Sequence, residues 1–138
     1  MTAALSTEPA VGAADEVLVL ERAAMERWAK GDPDGFLEIS DTDVTYFDPF
    51  VEKRLNGREE LRALYETLRG QVKLDEFEFI EPRVQVAGDM AVLTYNFRSQ
   101  GGDTVSEWNT TEVFRRRDGR WRIVHTHWAF RKAGAATQ

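Results

Sequence analysis

The sequence contains no cysteine, which excludes disulfides, thiolate nucleophiles and thiolate metal sites. No run of about 18 apolar residues occurs, so no helix is expected to span a membrane. Basic residues are outnumbered, 18 Lys and Arg against 24 Asp and Glu. The net charge of −6 leaves no electrostatic footprint for nucleic acid. The one basic cluster, Arg115–Arg116–Arg117, lies beside the turn Asp118–Gly119 and reads as a solvated hairpin end. Met1 to Ala14 lacks the basic start and apolar stretch of a secretory signal, so a cytoplasmic location is expected. Residues 1–14 read as a disordered tail, 15–131 as a single domain and 132–138 as a flexible C-terminal tail.

Aromatics, by contrast, are plentiful, with 8 Phe, 4 Trp and 3 Tyr. Val17, Leu20, Ala24 and Trp28 recur at helical spacing, predicting a helix from about Asp15 to Lys30 that Gly31 stops. Asp32–Pro33 is a start signal for a short second helix to Ser40. Asp43 to Asp48 reads as a strand ended by Pro49, residues 50–56 as a loop, and Arg58 to Arg69 as a third helix ended by Gly70. From Asp75 the apolar period changes to two, with Pro82 marking a bulge or edge. Met90–Gln100, Val105–Arg117 and Arg120–Arg131 are joined by Gly88–Asp89, Gly101–Gly102–Asp103 and Asp118–Gly119, all hairpin signals. The predicted class is α+β: a cone-shaped, curved antiparallel sheet wrapped around three helices, with one apolar pocket at its open end.

The stretches Val44–Thr45–Tyr46–Phe47–Asp48–Pro49, Asn56–Gly57–Arg58–Glu59–Glu60–Leu61 and Asp118–Gly119–Arg120–Trp121, running on to His125–Thr126–His127–Trp128, resemble the nuclear transport factor 2-like superfamily. The resemblance covers about residues 15–131 and is strongest to its SnoaL-like and calcium/calmodulin-dependent kinase II association-domain-like groups. It implies the cystatin-like roll. It does not imply one function, because this fold hosts enzymes, carriers and assembly modules.

Asp48–Pro49 resembles the general-base motif of the superfamily's ketosteroid isomerases. A carboxylate facing an apolar cavity has its charged form destabilised and can take a proton from carbon beside a carbonyl. The resemblance is incomplete: Ala24 and Thr111 stand where those isomerases carry their oxyanion-holding tyrosine and neutral acid. The plain alternative for Asp48 is a turn cap before proline. His125 and His127, two apart on the last strand, share parity with Trp121 and Ile123 and are expected to face the cavity. They read as pocket polar groups, as acid/base catalysts, or as two metal ligands with Asp48 as third. The first reading is preferred, and neither a metal nor a cofactor is expected.

Trp28, Tyr46, Tyr95, Phe97, Asn109 and Thr111 are the further expected ligand-binding residues. For the aromatics, plain core filling is the competing reading. Trp108, Phe114, Trp128 and Phe130 fall on the opposite parity, predicting an aromatic outer face and a homodimer through it. The expected partner of the pocket is a small apolar molecule. An isomerase, cyclase or dehydratase working by acid/base chemistry through Asp48, His125 or His127 competes with a non-catalytic ligand-binding or homo-oligomerising association module.

Overall fold

A computed structural model describes residues 12–132. Helix α1 spans Ala13–Ala29, starts on Asp15 and Glu16 and ends before Gly31, whose φ of 90° a side chain would resist. Its buried residues Val17, Glu21, Ala24 and Met25 follow helical spacing, and one of them is a carboxylate. The short α2, Asp34–Glu38, buries Phe36 and Leu37. Strand β1, Ser40–Phe47, starts three residues earlier than its sequence suggests. The loop expected at 50–56 holds a two-residue strand, β2, Leu55–Asn56. Helix α3 spans Arg58–Leu68 and buries Leu61 and Tyr65.

Four long strands follow: β3 (Glu76–Ala87), β4 (Met90–Gly101), β5 (Thr104–Arg117) and β6 (Arg120–Phe130). Together with the early strands they form one curved sheet of order β2–β1–β6–β5–β4–β3. The meander is antiparallel as expected, and its register shifts between Ile80 and Arg83, at the predicted Pro82 irregularity. The unforeseen joint is β1, which lies parallel to β6 and pairs Thr45 with His125 and Phe47 with His127. A parallel neighbour requires a long crossover, and the chain from α3 to β5 supplies it.

A second register shift decides which side chains enter the core. Phe114 pairs with Ile123 but Val113 pairs with His125, so Val124 is an extra residue in β6. Before this bulge Trp121 and Ile123 point inward; after it Thr126 is buried while His127 is exposed. The alternation read from Trp121 through His127 as one unbroken face is therefore reversed in its second half. On β5 the inner parity belongs to Thr110, Glu112 and Phe114, all buried.

Candidate functional site

Alternation along β1 puts Val44 and Tyr46 inside, and Asp48 follows at the same parity where Pro49 ends the strand. Asp48 Oδ1 accepts the backbone N–H groups of Phe50 at 2.7 Å and Val51 at 3.0 Å. Its Oδ2 accepts the Tyr46 hydroxyl at 2.8 Å. The turn-cap and pocket readings of Asp48 thus hold together: the turn fixes the carboxylate, and the carboxylate borders a chamber of about 260 Å³.

The chamber's walls are mainly aromatic. Trp28 and Phe36 come from the helices, Phe97 from β4, and Trp108 and Trp128 from β5 and β6. Neighbouring rings meet edge to face: Trp108 and Trp128 at 84°, Phe97 and Trp128 at 77°, Trp28 and Tyr65 at 61°. Phe50, largely exposed, borders the chamber 6.5 Å from Trp108 between ring centres. Polar groups are few: Asp48, Tyr46, Tyr65, and Ser99 and Ser106, which face each other across the β4–β5 ladder. Burial pushes both tyrosine pKa values well up, so their hydroxyls stay protonated as donors.

Tyr65 also borders a second polar group deeper in the core. Glu21 of α1 and Glu112 of β5 are both fully buried and interact carboxyl to carboxyl. Glu21 Oε2 accepts the Tyr95 hydroxyl, and Glu112 Oε2 accepts Thr126 Oγ1 at 3.0 Å. The remaining oxygen of each, Oε1, has no other partner. One proton held between these two oxygens satisfies both. Burial raises both pKa values, and at Glu112 the charge of Glu21 raises it further.

Of the sequence-predicted residues, Asp48, Trp28, Tyr46 and Phe97 line the chamber. Tyr95 is buried outside its lining, with its hydroxyl spent on Glu21. Asn109 and Thr111 lie on the other face of the sheet, opposite to expectation, because β5 turns Thr110 and Glu112 inward. The expected meeting of the histidines with Asp48 in one chamber does not occur. The Val124 bulge places His125 and His127 beside Phe47 on the outer side, with ring centres 5.7 and 5.2 Å away. His125 Nδ1 lies 2.7 Å from Thr45 Oγ1, and burial followed by the neighbouring His127 lowers its pKa. The expected outer aromatic face is also redrawn: Phe114 is fully buried, Trp108 and Trp128 line the chamber, and Phe130 stacks on Trp108 at 4.3 Å.

Tyr65, Ser99, Ser106, Phe50, Glu21 and Glu112 were not foreseen at the site. Glu112 had a signal: it shares parity with Trp108 and Phe114, and two large aromatics at one parity of a strand indicate the core side. Glu21 had none beyond its place on the apolar stripe of α1.

The fold agrees with the comparisons. A ketosteroid isomerase, so described only presumptively, from Parabacteroides distasonis superposes with a TM-score of 0.81 at 43% identity, over 88% of this chain and 89% of that one. A nuclear transport factor 2-like protein from Pseudomonas putida gives 0.77 at 26% identity, over 85% of each chain. The calcium/calmodulin-dependent protein kinase type II alpha chain of Drosophila melanogaster is 27% identical over 120 residues, or 81% of this chain. The chain spans only 23% of that kinase's length. Residues 17–130 match the SnoaL-like domain, and the chain belongs to that family, within the nuclear transport factor 2-like superfamily.

Proposed function

We propose that this protein binds a small, largely apolar molecule in the aromatic chamber and that Asp48 moves a proton on it, as in an isomerase, cyclase or dehydratase. One observation carries the reading. Among the described residues Asp48 is the one acidic or basic side chain in the chamber's lining, and three neutral donors hold it in place. A base needs a free lone pair within reach of the substrate proton and a fixed direction. Oδ2, with only Tyr46 donating to it, supplies the first, and the turn at Phe50 and Val51 supplies the second. The Tyr65 hydroxyl and the two serines are the donors near enough to the cavity to stabilise a developing oxyanion. The likeness to a protein described as a presumed ketosteroid isomerase supports this class of chemistry.

Proton exchange tests the reading before any natural substrate is known. In D₂O the protein should catalyse deuterium uptake beside the carbonyl of small cyclic ketones, followed by NMR. Asp48→Asn should lose that exchange yet still bind a neutral fluorescent hydrophobe such as N-phenyl-1-naphthylamine. Wild-type protein that binds the ketones without exchanging them would remove the catalytic claim.

That outcome would favour a second reading, a carrier that holds ligand unchanged. One observation supports it: among the described residues no histidine, lysine or arginine borders the chamber to serve as a partner acid.

A further inference from the structure

We infer that the chamber is built for a molecule carrying positive charge, a small amine in its ammonium form on an otherwise apolar frame. This rests on the chamber being a ligand site, and not on Asp48 moving a proton. The first observation is the lone carboxylate. Asp32, Asp41 and Asp89 each hold an arginine within 3.1 Å, and Asp48 forms no ion pair among the described residues. Its three donors are a phenol and two amides, none of which brings a countercharge. Among the described residues no basic side chain lines the chamber.

The second observation is the arrangement of the rings. Trp108 and Phe97 each meet Trp128 edge to face, at 84° and 77°, and Trp28 meets Tyr65 at 61°, so the lining is built of rings set at several angles. Ring faces carry negative potential, so a cation in a space walled by Trp28, Phe97, Trp108 and Trp128 is attracted wherever a face is presented to it. Both the carboxylate and the aromatic lining favour a cation over an anion.

Three compounds with one cyclohexane ring test this directly by isothermal titration at pH 7: cyclohexylammonium, cyclohexanol and cyclohexanecarboxylate. Cyclohexylammonium should bind about tenfold or more tighter than the alcohol, and the carboxylate weakest of the three. Asp48→Asn should lower the ammonium-to-alcohol ratio by about fivefold or more, the remainder coming from the rings. Should that variant fail to fold, Trp128→Leu, which removes one ring face and keeps an apolar wall, should weaken the ammonium more than the alcohol. Alcohol binding as tight as ammonium, or a preference undiminished in Asp48→Asn, overturns the inference and leaves the ligand chamber standing. If none of the three binds, the ligand chamber itself falls and the inference with it.

Discussion

Glu21 and Glu112 meet carboxyl to carboxyl at the centre of the protein, one from the first helix and one from the longest strand, with neither exposed to solvent. Two ionised carboxylates cannot share such a place, because burial and mutual repulsion both oppose the second charge. The raised pKa values are therefore also statements about stability.

The sign follows from which state holds more protons. In the folded protein the pair keeps protons that the unfolded chain would release above the ordinary carboxyl range. Stability is thus greatest below that range and falls as pH rises from there through the raised folded values. Glu112→Gln should flatten this fall, since an amide N–H can take the place of the shared proton at every pH while its carbonyl still accepts from Thr126. We expect the variant to gain on wild type by about 1–3 kcal/mol at pH 8 and by much less at pH 5, measured by urea unfolding. Parallel curves for the two proteins across that window would show that no proton is shared.

Asp41 carries the opposite sign. Burial tends to raise its pKa, but Arg115, the Thr42 N–H and Arg117 together hold it below the ordinary carboxylate value. Its contribution is present above that value and is lost as pH falls through the depressed one. Asp41→Asn should cost about 1–3 kcal/mol at pH 7, because two arginines lose their buried partner, and the cost should shrink toward pH 3. Chemical denaturation at the two pH values measures both.

Tyr46 is a positioning residue for Asp48, since its hydroxyl fixes Oδ2 without itself being free to act. Tyr46→Phe keeps the ring and its edge-to-face contact with Tyr65 but removes that donor. The expected result is a fall of about tenfold to a hundredfold in the rate of ketone deuterium exchange, with little change in KM. A purely structural role would instead appear as lost thermal stability beyond the roughly 1 kcal/mol of one hydrogen bond, with the exchange rate of the folded fraction intact.

The sequence carried the order of elements because each signal was local. Gly31 and Gly70 end helices, Pro49 ends β1, and the three glycine-containing turns join the meander. The half of the site on α1, β1 and β4 was legible for the same reason: Trp28, Tyr46, Asp48 and Phe97 follow simple periods. The other half hinges on one inserted residue. Nothing in Ile123–Val124–His125 marks Val124 as the bulge, and a slip of one residue moves every later side chain to the opposite face. On β5 a buried glutamate inverted the reading, because a charged residue argues for solvent unless its partner is known. That partner, Glu21, lies 91 positions earlier in the chain, beyond the reach of any periodicity.

The displaced histidines give a negative prediction. Since His125 and His127 lie across the sheet from the chamber, His127→Asn should leave probe binding and deuterium exchange within about twofold of wild type. His125→Asn should cost about 1 kcal/mol through the contact with Thr45, again without an effect on binding. The folded state prefers the neutral imidazole of His125, so its contribution is present above the ordinary histidine value and fades as pH falls through the lowered one. A loss of binding at neutral pH in either variant would place the imidazoles functionally inside the chamber.

Ser106 gives the sharpest separation of binding from folding. It faces Ser99 across the β4–β5 ladder, and both border the chamber well away in sequence from the Asp48 turn. In a tightly packed interior, replacing serine by phenylalanine would force neighbours off their rotamers and destabilise the fold. Here the new ring enters free space beside Trp108 and Trp128 and removes apolar surface from water. Ser106→Phe should therefore raise stability by about 1–2 kcal/mol while weakening cyclohexylammonium and N-phenyl-1-naphthylamine by more than about tenfold. Stability gained as binding is lost is the signature of a cavity kept open for a ligand at the expense of the fold. Stability and binding falling together would mean that the ring disrupts the sheet, and binding that persists would mean that the probes sit elsewhere.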